Sequence, residues 1–199
     1  MGISMGGMVA QKVAQMGGDN VNKLILGCTS AGGSRENPPR YPPTDRDFFS
    51  TFDEFKNDGS DADRELARTF LSKVLGGKRE DSPLSISTAR KFLDIFVERF
   101  IESRLKYKNG GKDGILAQLP AVKRYDGTSV LPDIPKSSQT LILHAQDDDI
   151  IPWENAYEML ELLANDENAS VHLFDDGGHF FFISRAHQTA KIINEFLVV

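Results

Sequence analysis

The chain has 199 residues, of which 40% are hydrophobic and 26% charged, and this composition is that of a globular domain with enough apolar material for a core. The formal net charge is -6 and the acidic residues are spread along the chain, which argues against a basic surface for nucleic acid or an anionic membrane. No apolar run approaches the roughly 20 residues of a membrane-spanning helix and no secretory signal pattern is present, so the sequence favours a cytoplasmic location.

The first predicted element is a helix that begins near Ser4 or Met5. Apolar residues recur there at spacings of three and four until Gly17-Gly18 ends the pattern. A short apolar run at residues 24–26 then predicts a buried parallel strand. Cys28, the only cysteine, excludes an internal disulfide and has no second thiol or histidine at zinc-ligand spacing. We expect Cys28 to be a small buried apolar side chain.

Residues 34–126 predict an all-helical insertion. A proline-rich stretch is followed by helical patterns at residues 47–55, 61–75, 87–105 and 115–122. Phenylalanines form apolar stripes in these helices, namely Phe48, Phe49, Phe52, Phe55, Phe70, Phe92, Phe96 and Phe100. Packing of the helices on one another is the simpler interpretation of these stripes. The alternative is that some of these rings line an apolar substrate pocket.

From residue 139 the chain again alternates between strand and helix. Patterns at 140–145 and 170–176 predict strands, and patterns at 153–165 and 187–197 predict helices. This alternation is typical of a parallel sheet flanked by helices. The sequence therefore predicts an α/β fold with about three parallel strands, in which residues 1–33 and 127–199 form the core and residues 34–126 a helical cap.

The first candidate for chemistry is Ser4, within Gly2-Ile3-Ser4-Met5-Gly6. This segment fits Gly-x-Ser-x-Gly, in which glycines allow a sharp strand-to-helix turn that exposes the serine hydroxyl. A helix that begins at the serine also directs backbone N–H groups and a favourable dipole at a developing oxyanion. The alternative is a glycine-rich N-terminal tail without chemistry.

The second candidate is a carboxylate among Asp147, Asp148 and Asp149, which follow a predicted strand. Loops at the carboxyl ends of parallel strands are where open α/β sheets place their sites. One of these acids could orient a histidine. The alternative is that they only solubilise a turn and favour the start of the helix at Pro152.

The third candidate is His179, which follows Gly177-Gly178 after the last predicted strand. Paired glycines let a loop fold tightly and present an imidazole beside the other strand ends. The remaining histidines are better explained by packing or surface roles, because they lie within or at the end of predicted strands or in the last helix: His144, His172 and His187. His179 is therefore the predicted base.

The order Ser, Asp, His along the chain is that of α/β-hydrolases. The chain resembles this superfamily, in particular its esterase, lactonase and haloperoxidase-like members with a helical cap. GISMGGMVAQ resembles their nucleophile elbow and following helix, and LILGCTSAGG resembles the next strand and loop. HAQDDDIIP resembles their HGxxDxxVP acid loop, and GGHFFF resembles their histidine loop.

The resemblance implies roles for individual residues. Ser4 would be the nucleophile, Asp148 the acid and His179 the base, and the backbone N–H of Met5 would form half of the oxyanion hole. The two acidic neighbours of Asp148 remain alternatives. The implied reaction is hydrolysis of a small or medium carboxylic ester or lactone through an acyl-enzyme, without a cofactor or metal. Perhydrolysis, C–C bond hydrolysis and lyase chemistry are open alternatives on the same triad.

The chain departs from the family pattern in two places. Ala145 replaces the glycine of the acid loop, a small change that we expect to matter little. Only three residues precede Ser4, whereas the family has several strands and the second oxyanion donor before the elbow. We therefore expect an open sheet edge, through which the chain could associate with itself. The alternative function is a catalytically impaired fragment that acts at most as a binding or dimerising module.

Overall fold

The computed structural model describes residues 1–33, 54–76, 86–107, 112–163 and 166–198. It contains a parallel sheet in the order β1-β2-β3-β4. The strands are β1 Gly2–Ile3, β2 Lys23–Gly27, β3 Gln139–Ala145 and β4 Ala169–Phe174. Three of them are the strands predicted from the sequence. The fourth, β1, leads into Ser4 where the sequence suggested that no strand remained, because two residues are too few to show a periodic pattern.

Helices flank the sheet and also make up most of the described residues between β2 and β3. They are α1 Met5–Gly17, α2 Asp61–Gly76, α3 Ile86–Lys106, α4 Lys112–Arg124, α5 Asn155–Leu162, α6 Phe181–Ser184 and α7 Ala186–Val198. All but α6 match predicted helices, and α6 is a single turn that is too short for a periodic signal. The pattern at residues 47–55 lies almost entirely outside the described residues. Within the described ranges, no helix is long and apolar enough to cross a membrane.

The core lies on both faces of the sheet. One face packs against α1 and α5, and its central strand side chains are Leu24, Leu26 and Ile142. The other face packs against α6 and α7, and its strand side chains are Ile25, Leu141 and Leu143. Because both faces are covered, the strands are nearly continuous apolar runs rather than alternating ones. The result is a three-layer α/β/α arrangement.

The helices between β2 and β3 have a core of their own. We call it the cap cluster, formed by Phe55, Ala67, Phe70, Leu71, Val97 and Ile101. Phe96 and Phe100 pack against it, as helix-on-helix packing predicts, whereas Phe48, Phe49 and Phe52 lie outside the described residues. Two residues of the sheet's loops, Ile150 and Phe180, also contact the cluster. The division of the chain at residues 33/34 and 126/127 stays a prediction.

Candidate active site

Ser4 lies in a strained turn between β1 and α1. Its φ of 53° and ψ of -127° are angles that residues other than glycine rarely adopt, at a cost of about 1–3 kcal/mol. Its N–H donates to the Gly27 carbonyl at 2.9 Å and its carbonyl accepts the Gly7 N–H at 2.8 Å. The side chain makes no helix-capping hydrogen bond. The hydroxyl is therefore not used as an N-cap, which is the ordinary role of a serine at this position.

The glycines around Ser4 differ in how closely neighbouring atoms pack against their Cα atoms. A Cβ on Gly2 would lie 2.2 Å from the Gly6 carbonyl oxygen, and a Cβ on Gly7 would lie 2.5 Å from the Thr29 side chain. A Cβ on Gly6 would meet no described atom within 4 Å. The close approach expected at the second glycine of the motif therefore occurs one residue later, at Gly7.

Thr29 fixes this turn from the loop that follows β2. Its side chain is buried, and its hydroxyl donates to the Ser4 carbonyl at 2.7 Å. The same side chain also packs against Gly7, so Thr29 contacts the turn at both Ser4 and Gly7. The sequence analysis did not single out Thr29. The sequence feature that could have indicated Thr29 is a hydroxyl side chain in the loop of small residues directly after β2.

Gln11 is a second polar residue that the sequence analysis missed. It is fully buried in α1, where its amide donates to the Ser30 carbonyl at 3.0 Å and accepts the Tyr125 hydroxyl at 3.0 Å. Burial, with a contribution from the charge of Asp126, raises the pKa of Tyr125 to about 12, so the phenol remains a donor at neutral pH. These bonds fasten α1 to the loop after β2 and to the chain that leads towards β3.

The Asp148 carboxylate, in the loop after β3, accepts hydrogen bonds on both of its oxygens. Its side chain is completely buried. Oδ1 accepts the backbone N–H groups of Ile150 at 2.8 Å and Ile151 at 3.0 Å. Oδ2 lies 2.9 Å from Nδ1 of His179. The carboxylate is thus held on one side by its own loop and faces the histidine with the other.

The ionisation state of Asp148 determines the tautomer of His179. Burial opposes ionisation, but hydrogen bonds from His144 and His179 outweigh it and hold the pKa of Asp148 well below its usual range. Because the carboxylate is charged and can only accept, Nδ1 of His179 must carry the proton. Nε2 of neutral His179 is then an unprotonated nitrogen, as a general base requires.

The loop that carries His179 depends on its two glycines. Gly177 has a φ of 125° and Gly178 a φ of 61°, both in the region that other residues rarely adopt. The Gly178 N–H donates to Oδ1 of Asp147 at 2.8 Å, and the Gly177 carbonyl accepts the Ser184 hydroxyl at 2.9 Å. The histidine loop is therefore bonded to the acid loop on one side and to α6 on the other.

The three acids of the loop after β3 have different environments. Asp148 contacts the His179 imidazole, whereas Asp147 binds the backbone of Gly178. Asp149 is exposed. Asp148 is therefore the acid whose geometry fits the orientation of His179.

Gly27 and Cys28, at the end of β2, lie beside the turn at Ser4. Burial raises the pKa of the Cys28 thiol, the charge of Asp148 raises it further, and a hydrogen bond from the Ser4 backbone partly offsets both. Cys28 thus lies beside the Ser4 backbone. Its buried, protonated thiol is inert, as expected for a small apolar side chain. From the histidine loop, the Phe181 ring reaches to within 3.6 Å of where a Cβ on Gly27 would be.

The arrangement is incomplete in one respect. Within the part of the chain that the structure describes, no hydrogen bond joins the Ser4 hydroxyl to His179. Such bonds are often long without substrate and tighten when it binds. Met5 is the first residue of α1, so its N–H is one of the first-turn groups that have no partner within the helix.

The comparison with protein families agrees with this architecture. A family model described as alpha/beta hydrolase fold matches residues 1–186. The chain belongs to this family. The α/β fold class and the resemblance read from the motifs are thereby confirmed.

Proteins similar to this chain include a depolymerase, a lactonase and an esterase, by their names. A poly(3-hydroxyalkanoate) depolymerase of Ectopseudomonas oleovorans is 30% identical, in an alignment that covers 99% of this chain and 59% of the relative. An enol-lactonase from Burkholderia xenovorans is similar in structure, with a TM-score of 0.70, 19% identity and coverage of 100% of this chain and 64% of the lactonase. An esterase from Exiguobacterium antarcticum has a TM-score of 0.67 at 20% identity, with coverage of 100% and 65%.

The chain therefore spans about six tenths of the length of the relatives that it matches. At this level of identity the two solved structures show the shared alpha/beta hydrolase fold.

Proposed function

We propose that this chain carries the catalytic site of a serine hydrolase that cleaves small or medium carboxylic esters or lactones. The observation that supports this most strongly is the 2.9 Å contact between ionised Asp148 and Nδ1 of His179. It leaves Nε2 of His179 available as a base at the sheet edge where the strained turn exposes Ser4. The membership of the alpha/beta hydrolase family and the hydrolases among its relatives support the same reaction class.

In the proposed reaction, His179 removes the Ser4 proton while Ser4 Oγ attacks the ester carbonyl. Asp148 holds the imidazole and stabilises its protonated form. The Met5 N–H donates to the oxyanion, and His179 then returns the proton to the leaving alcohol. Water, activated by His179, releases the acid from the acyl-enzyme. These steps need no metal or organic cofactor, and we place them in the cytoplasm.

An apolar acyl or alcohol part fits the surroundings of the site. Ile150 and Phe180 each lie within two residues of Asp148 or His179, and both pack against the cap cluster. They present apolar surface beside the acid and the base. The name of the poly(3-hydroxyalkanoate) depolymerase indicates that 3-hydroxyacyl esters are also substrates to test.

Labelling with a fluorophosphonate tests the nucleophile. The purified chain should be labelled, Ser4→Ala should not, and Ser129→Ala, which removes an exposed serine, should be labelled as wild type. Circular dichroism confirms that all three are folded. Labelling that survives in Ser4→Ala would contradict Ser4 as the nucleophile, and a folded wild type that is not labelled would contradict hydrolase activity of this chain. A panel of acyl, lactone, 3-hydroxyacyl and charged esters then defines the substrate.

A second candidate is self-association at the β1 edge, and the surface of α1 favours it. Met5, Val9, Val13 and Met16 are exposed apolar residues at spacings of four, four and three, so they form one stripe beside the edge strand. A second copy of the chain would cover this stripe.

Light scattering after size exclusion tests this candidate with a matched pair of variants. Val9 in the stripe and Ile95 on α3 are both 58% exposed. Val9→Glu should convert an oligomer to monomer, whereas Ile95→Glu should leave it intact. A monomeric wild type at all concentrations would exclude self-association.

A further inference from the structure

His144 lies beneath the acid of the site and is not part of the proposed triad. It is the penultimate residue of β3, and its side chain is completely buried. Its Nε2 lies 3.2 Å from Oδ2 of Asp148 and 2.9 Å from the Ile151 carbonyl oxygen. Both of these oxygens can only accept a hydrogen bond, so Nε2 must carry a proton that the two share.

The other ring nitrogen fixes the charge of His144. Nδ1 is buried and has no hydrogen-bond partner among the described residues. A proton on Nδ1 would bury both a charge and an unsatisfied donor, which is costly, whereas an unprotonated Nδ1 leaves only a weak acceptor unpaired. His144 is therefore a neutral imidazole with its proton on Nε2.

With His144 included, every lone pair of the Asp148 carboxylate has a donor. A carboxylate has about four acceptor positions. Ile150 and Ile151 fill those of Oδ1, and His144 and His179 fill those of Oδ2. His144 is the donor that shares Oδ2 with the proposed base. Its loss would leave a buried carboxylate oxygen under-bonded and free to turn away from His179.

We propose that His144 is a positioning residue for the hydrolase site. Its neutral Nε2–H holds Oδ2 of Asp148 in the place where it can accept Nδ1–H of His179. The bond to the Ile151 carbonyl closes the acid loop over the same imidazole. This inference rests on the proposed function, because His144 acts on the reaction only through Asp148 and His179.

The first test uses the wild-type chain and does not depend on activity. Long-range ¹H–¹⁵N correlation spectra identify which nitrogen of each histidine carries a proton. The geometry requires the Nε2–H form for His144 and the Nδ1–H form for His179. An Nδ1–H form for His144 would overturn the proposal, because that proton faces away from Asp148.

The second test compares variants by their rate of fluorophosphonate labelling. His144→Leu removes the donor and should slow labelling by about 10- to 100-fold, the effect of one hydrogen bond to a charged group. His144→Gln offers an amide N–H at a similar reach and should stay within a few-fold of wild type. His172→Leu is the matched control, because His172 lies on the adjacent strand and also has a buried ring nitrogen without a described partner. It should label as wild type.

The outcomes separate this proposal from the proposed function. Wild-type rates in folded His144→Leu, or lost labelling in folded His144→Gln, would overturn the positioning role. If His144→Leu does not fold, the His144→Gln rate and the tautomer of the wild type decide the matter. If the wild type is not labelled, the proposed function fails. The positioning role of His144 is then tested by the low-field Nδ1–H signal of His179 instead of the labelling rate. That signal should persist in His144→Gln and be lost or broadened in His144→Leu.

Discussion

At the scale of single residues, adjacent carboxylates in one loop have separate tasks. Asp148→Asn keeps the shape of the side chain but removes its charge, and an amide donor facing Nδ1 favours the wrong tautomer of His179. We expect ester hydrolysis to fall by roughly ten-thousand-fold. Asp147→Asn keeps an oxygen for the Gly178 N–H and should stay within a few-fold of wild type. Loss of activity in Asp147→Asn or Asp149→Asn, with Asp148→Asn active, would reassign the acid.

The low pKa of Asp148 also predicts a pH dependence of stability. Because its folded pKa is below the unfolded value of about 4, the ionised group stabilises the fold fully above that pH, and this contribution is lost as the pH falls further. The difference in unfolding free energy between wild type and Asp148→Asn should therefore be largest near pH 7 and smaller at pH 3. Urea unfolding at both pH values measures it. A difference that is the same at both would contradict this linkage.

At the scale of elements, the junction between β1 and α1 depends on close backbone packing at one glycine and not at its neighbour. Gly7→Ala would place a methyl group 2.5 Å from the Thr29 side chain, and we expect a loss of about 1–3 kcal/mol. Gly6→Ala meets no described atom and gains helix propensity, so it should be neutral or stabilising by up to about 1 kcal/mol. Urea unfolding of the two variants provides the comparison. Equal losses would mean that Gly6 is also tightly packed.

At the scale of the whole molecule, the cap cluster joins helices α2 and α3 to the loops of the site. Ile150 and Phe180 come from the sheet's loops but pack with Phe70 and its neighbours. Phe70→Ala should therefore destabilise cap and sheet together, by about 3 kcal/mol or roughly 6–12 °C in Tm.

Two probes of unfolding test this cooperativity. Trp153 is the only tryptophan and follows β3, so its fluorescence reports on the sheet, whereas far-ultraviolet circular dichroism is dominated by the helices. The two midpoints should coincide in wild type and shift together in Phe70→Ala. Separate midpoints would contradict this cooperativity. They would show that residues 34–126 unfold as an independent unit, in agreement with the predicted domain division.

The sequence by itself determined the longer elements and the three triad candidates. Helix and strand periods, glycines at turns and the order of Ser4, Asp148 and His179 are local features, and local features can be read without knowing what packs against them. They were sufficient for the α/β fold and the family, which the comparison confirmed. The triad roles stay predictions, as does the oxyanion role of Met5.

Only the tertiary structure decided which groups meet. Thr29 binds the Ser4 carbonyl from 25 residues away, and His179 selects Asp148 from among three acids over a separation of 31. The tautomer of His144 likewise follows from its burial and from the oxygens around it. Such contacts depend on which loops the parallel strands bring to one edge of the sheet, and the local pattern of residues does not encode this.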